Sequence, residues 1–117
     1  MDSNIYCIFL HKIAYQLKDT FDIYVFGSSM EPCLKNGQKV TVVPLAKISD
    51  IILGDIIVFY KFPDHFTIHR VVCIERSSKG EIYQTKGDNN KDIDSYFVNR
   101  NEIVGVVYIN EEGRNKF

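Results

Sequence analysis

Phe21-Asp22-Ile23-Tyr24-Val25-Phe26, followed by Gly27-Ser28-Ser29-Met30-Glu31-Pro32, Leu34-Lys35-Asn36-Gly37-Gln38 and Val40-Thr41-Val42-Val43, is the stretch on which the reading of the fold turns. Its first part is rich in aromatic and β-branched residues, which suit a pleated, half-buried surface. Gly27 to Pro32 is turn-rich text that ends the strand. Asn36-Gly37 is a strong turn signal, and Val40 to Val43 is a second short strand, stopped by Pro44.

The same grammar runs to the end of the chain. Asp50 to Leu53 leads into Gly54-Asp55, and strands are expected at Ile56–Phe62, Phe66–Ile74, Glu81–Thr85 and Ile103–Ile109. Ser77 to Gly80 reads as a turn, Glu75-Arg76 as a solvated turn, and Gly87 to Asp94 as a polar loop. Short strands at close intervals predict a mainly β, antiparallel domain. Ahead of it, Ile5, Phe9, Ile13 and Leu17 fall near one helical face, widened by Ile8 and Tyr15, with Ser3 or Asn4 as cap. The expected organisation is a helical segment over 1–20, one domain over 21–110 and a polar tail over 111–117.

Composition bounds the function. The chain has 117 residues, enough for one domain, and 45% apolar against 25% charged residues supports an ordinary core. A net charge of −1, with Lys and Arg dispersed, argues against a nucleic-acid partner. Cys7, Cys33 and Cys73 are an odd, widely spaced set, read as small apolar residues rather than a disulfide framework. The apolar run Ile5–Leu10 meets His11-Lys12 at once, far short of the ~20 residues a membrane span needs. An acidic start without a small-residue cleavage site does not read as an export signal. A cytoplasmic location, or a peripheral one at the membrane, is expected: the apolar helix face over residues 5–17 packs on its own domain or, as the alternative, lies on a membrane or a partner.

The chemistry begins at Ser29. Gly27 lacks a Cβ, so a substrate strand or a tight turn fits beside it. Pro32 fixes the chain on the far side, and Met30 can anchor the turn in the core. Gly27-x-Ser29-Met30-x-Pro32, Leu34 and Gly37 before Val40-Thr41-Val42 together resemble the serine box of the signal peptidase and LexA-type peptidase superfamily. Gly54-Asp55-Ile56-Ile57-Val58-Phe59, His69-Arg70-Val71, Thr85-Lys86-Gly87-Asp88-Asn89-Asn90 and Ile103-Val104-Gly105 resemble its remaining motifs, in family order. The resemblance runs over residues 25–107. It implies a signal peptidase/LexA-type β-rich fold and a serine endopeptidase that cleaves leader or signal-type peptides.

A serine needs a base to take its proton. Many relatives place a lysine before Arg-Val; His69 stands there instead, which resembles the branch found in the endoplasmic reticulum, in archaea and in some Gram-positive bacteria. Histidine titrates near neutrality and can accept and return a proton. In that branch a second aspartate, six residues after the one in Gly-Asp-Asn, is the third member; the matching position is Asp94. Asp88 matches the box aspartate and is expected to support the loop, with the direct bond to His69 as its alternative role. Gly27 stands where signal peptidases usually carry a serine whose hydroxyl assists the oxyanion, leaving the Ser29 N–H, with Ser28 as a replacement donor. LexA-type peptidases also carry glycine there.

Other signals fail on their own terms. Asp88-x-Asn90-x-Asp92-x-Asp94 imitates a calcium loop but has Ile93 where the glycine and Asn99 where the glutamate should be. His65, His69 and Cys73 have helical metal-ligand spacing, but the text around them is β-branched, and on a strand His65 and Cys73 lie ~26 Å apart. No metal or cofactor is expected. The expected partner is a peptide or protein substrate bound in extended form at a sheet edge. Two further readings stay open: a non-catalytic peptide-binding module, for which Gly27 speaks, and a LexA-like autoproteolytic fragment, against which His69 and the lack of a DNA-binding segment count.

Overall fold

The computed structural model describes residues 19–61 and 65–109. The expected N-terminal helix, with Cys7 and His11, and the polar tail lie outside the described residues.

Among the described residues seven strands form one sheet: β1 (Phe21–Tyr24), β2 (Lys39–Pro44), β3 (Ile56–Lys61), β4 (His65–Ser77), β5 (Gly80–Lys86), β6 (Phe97–Asn99) and β7 (Ile103–Val107). Their order is β1-β2-β7-β3-β4-β5-β6, and every pairing is antiparallel. The chain is mainly β, as its turn spacing predicts. Among the described residues no helix is long and apolar enough to cross a membrane.

The central strands read as continuous apolar runs because both of their faces are covered. Ile57, Phe59, Ile103 and Val106 join Val43, Leu45, Val71, Tyr83 and Val98 in one core. Val42, Ile56, Val58, Val104 and Val107 join Val25, Met30, Leu34 and Val40 in the other. The register shifts between Val58 and Phe59, where β3 pairs first with Gly105 and then with Ile103. Val104 is the extra residue of this bulge, and the break in alternation puts Ile103 and Val106 in one core and Val104 and Val107 in the other. A second bulge, between Val71 and Cys73, turns Val72 to solvent. The Gly54-Asp55 box is a turn: Asp55 is buried, and its carboxylate accepts the Ile52 N–H at 2.9 Å.

Several expectations change. β4 runs on to Ser77, so Glu75 and Arg76 lie on a strand, paired with Ile82 and Glu81, rather than in a turn. Two short 3-10 segments, Leu45–Lys47 and Arg100–Glu102, and the short β6 are additions; three-residue elements carry too little periodicity to be read. Cys33 is exposed and Cys73 half-buried, so neither is the buried small apolar residue expected. Cys33 sits on the turn after Pro32, and Cys73 follows the bulge.

Candidate active site

The turn after β1 carries Ser29. Gly27 adopts φ +86°, a left-handed conformation that L side chains rarely take, and its N–H donates to Asn36 Oδ1 at 2.8 Å. Glu31 N donates to the Ser28 carbonyl and Leu34 N to the Met30 carbonyl, which closes the turn. Met30, 1% exposed, plugs it into the core.

His69 lies on β4 opposite Ile57 and is 8% exposed. Its Nδ1 is 2.7 Å from Asp94 Oδ2, and its Nε2 is 3.2 Å from Ser29 Oγ. An ionised carboxylate can only accept, which assigns the proton to Nδ1 and leaves Nε2 as acceptor for the Ser29 hydroxyl. The structure therefore brings Ser29, His69 and Asp94 into one hydrogen-bonded chain. The Phe59 ring meets the His69 ring edge-on at 6.4 Å between centroids.

Asp88 points elsewhere. Its two oxygens accept from Arg70 Nε and Nη2, both at 2.8 Å, while Arg70 Nη1 donates to the Gly54 carbonyl at 2.8 Å. Hydrogen bonding to Asp88 holds the Arg70 guanidinium above its ordinary pKa, against the opposing effect of burial. This clamp ties the Gly54 turn to the Gly87–Asn90 loop. That loop in turn grips the serine turn: Asn89 N donates to the Ser29 carbonyl at 2.7 Å and Asn89 Nδ2 to the Ser28 carbonyl at 3.1 Å. A Cβ on Gly87 would stand 2.8 Å from the Ser29 carbonyl oxygen, so the close approach needs glycine.

A groove of about 580 Å³ opens beside the serine, lined by Tyr24, Val25 and Phe26 on one side and by Phe66, Thr67, Ile68 and His69 on the other. Phe26 is 89% exposed and Phe66 49%, a large uncovered apolar area for a polar-rimmed domain. Among the described residues β1 is an edge strand. β4 pairs with β5 only from Arg70 onward, so Phe66 to His69 have β3 alone as strand neighbour among the described residues. Tyr96 also lines the groove; its hydroxyl is pushed above the usual tyrosine value, first by burial and then by the Asp94 carboxylate. Among the described residues, no three His, Cys, Asp or Glu side chains converge on a point that could hold a metal ion.

The structure brings together Ser29, His69 and Asp94, the three residues the motifs single out; Thr85 and Asn89 stand in the motif text with no role assigned to them, and Tyr96 lies outside it. Thr85 carried a signal: a polar residue at the inward parity of a strand whose Tyr83 also faces in.

The described residues thus form a β-rich domain with a serine–histidine–aspartate chain at the lip of an apolar groove. No protein-family model matches the chain. It is 32% identical over 71 residues to Signal peptidase I W of Bacillus subtilis (strain 168), a match covering 61% of this chain and 37% of that relative. The chain thus spans well under half the length of the relative it matches. This similarity to a signal peptidase agrees with the resemblance carried by the motifs.

Proposed function

We propose that the chain is a serine endopeptidase that cleaves leader or signal-type peptides. The observation that carries this reading is the position of His69, hydrogen-bonded to Ser29 on one ring nitrogen and to Asp94 on the other, beside an apolar groove. The similarity to a signal peptidase supports the substrate class.

In this reading an extended peptide lies in the groove as an added strand, between Tyr24–Phe26 and Phe66–Ile68. Ser29 Oγ attacks the scissile carbonyl carbon while its proton passes to His69 Nε2. The imidazolium gives that proton to the departing amine as the C–N bond breaks, leaving an acyl group on Ser29. Water then attacks the acyl carbon as His69 takes its proton, and His69 returns that proton to Ser29 Oγ as the C–O bond breaks, releasing the acid product. Asp94 holds the imidazole and stabilises its charged form. The Ser29 N–H serves the oxyanion. With Gly27 in place of a hydroxyl donor, Ser28 is the remaining side-chain candidate, and one missing donor costs ~10²–10³ in rate. Contact with a membrane through residues 5–17 belongs to the same proposal.

The test is mass spectrometry of a diverse peptide pool incubated with wild type and with Ser29→Ala, with and without lipid vesicles. Cuts made only by the wild type are expected, enhanced by vesicles. Identical product spectra from both proteins would end the peptidase reading.

A further inference from the structure

Asp94 Oδ2 accepts two hydrogen bonds, and the His69 ring supplies only one of them. The other comes from Thr85 Oγ1 at 2.7 Å. Thr85 is 0% exposed, on β5 opposite Val71, and its own carbonyl accepts the Asp94 N–H at 2.8 Å. Thr85 therefore holds Asp94 at both main chain and side chain. Its hydroxyl must donate, because a carboxylate has nothing to give.

We infer that Thr85 is a positioning residue of the proton relay: its hydroxyl fixes the Asp94 carboxylate rotamer that keeps His69 aimed at Ser29. This rests on the relay proposed above. A carboxylate bonded only to His69 can rotate about its terminal torsion, which is broad and soft. A second donor on the same oxygen removes that freedom. It also shares the oxygen's charge, which favours keeping the proton on Nδ1. Besides Thr85, His69 from β4 bonds Asp94, and Tyr96 from the segment before β6 lies near enough to feel its charge. Neither replaces the lost donor, because His69 already makes its bond and the Tyr96 hydroxyl interacts with Thr67.

The test compares Thr85→Val, which keeps the shape and strand propensity but removes the hydroxyl, with Thr85→Ser, which keeps the hydroxyl. Hydrogen bonds to charged groups are worth enough that kcat should fall roughly ten- to a hundredfold in Thr85→Val, with KM unmoved, and recover in Thr85→Ser. The substrate is a pool peptide cut by wild type and spared by Ser29→Ala. Independently of turnover, NMR of ¹⁵N-histidine-labelled protein should show a His69 Nδ1 proton protected from exchange in wild type and Thr85→Ser. In Thr85→Val it should exchange faster by about tenfold or more. A folded Thr85→Val with wild-type kcat, or with unchanged Nδ1–H exchange, overturns the assignment. An Asp94→Asn variant with undiminished turnover would instead defeat the relay reading itself.

Discussion

Removing the Asp88 carboxylate should loosen two parts of the molecule at once. Asp88→Ala deletes two hydrogen bonds of 2.8 Å to Arg70 and leaves a guanidinium that also reaches the Gly54 carbonyl. The side chains of the pair are 30% and 20% exposed, so it belongs between two limits. Breaking a buried pair costs ~3–5 kcal/mol, and an exposed pair contributes ~0–1 kcal/mol. Partial solvent screening places the expected loss at about 2 kcal/mol. For a domain near 100 residues, about 4 °C of melting temperature goes with each kcal/mol, so the midpoint should fall by about 8 °C. Urea titration followed by tyrosine fluorescence reads this as a lower midpoint at unchanged slope. Turnover should fall as well, because the loop carrying Asp88 also carries Asn89, whose N–H holds the Ser29 carbonyl. A loss below ~0.5 kcal/mol with normal turnover would refute the argument that this clamp braces the serine turn.

Other outcomes follow from the same packing. Gly87→Ala puts a methyl 2.8 Å from the Ser29 carbonyl oxygen and should cut kcat at least tenfold in the peptide assay, with a smaller effect on melting. Met30→Ala empties a side chain that is 1% exposed and accepts the Asp88 N–H at its sulfur; a loss of about 3 kcal/mol by urea denaturation is expected. Tyr83 and Tyr96 are both raised above the ordinary tyrosine value, chiefly by burial. The unfolded chain therefore loses these protons first, so stability is full below about pH 10 and falls as pH rises through the folded values. Tyr96→Phe should make that alkaline decline shallower in urea titrations across the range.

The sheet was legible because its strands are short, β-branched and separated by glycine, asparagine and proline turns, and the predicted edges fall within a few residues of those observed. Pro44 ends β2, and the Gly54-Asp55 turn launches β3 as expected. β6 was not legible: Phe97-Val98-Asn99 is too short to show a period, and it pairs only because β5 offers an edge. The bulge at Val104 was hidden too, since Ile103 to Val107 reads as a uniform apolar run whichever core each residue enters. Within the site, motif spacing singles out Ser29, His69 and Asp94, and the structure brings the three within hydrogen-bonding distance. Arg70 was seen only as text flanking His69, and its bidentate hold on Asp88 depends on β4 passing the Gly87 loop in register. Thr85 and Asn89 act through neighbours distant in sequence, and only the fold brings them together.

The most direct test of the account is whether His69 activates Ser29. Intact-protein and peptide mass spectrometry after treatment with a fluorophosphonate reads this without knowledge of the natural substrate. The account predicts a single adduct on the Ser29 peptide in wild type, none in Ser29→Ala and at least a hundredfold slower labelling in His69→Ala. Equal labelling of wild type and His69→Ala, or failure of the folded wild type to label at Ser29, would contradict it.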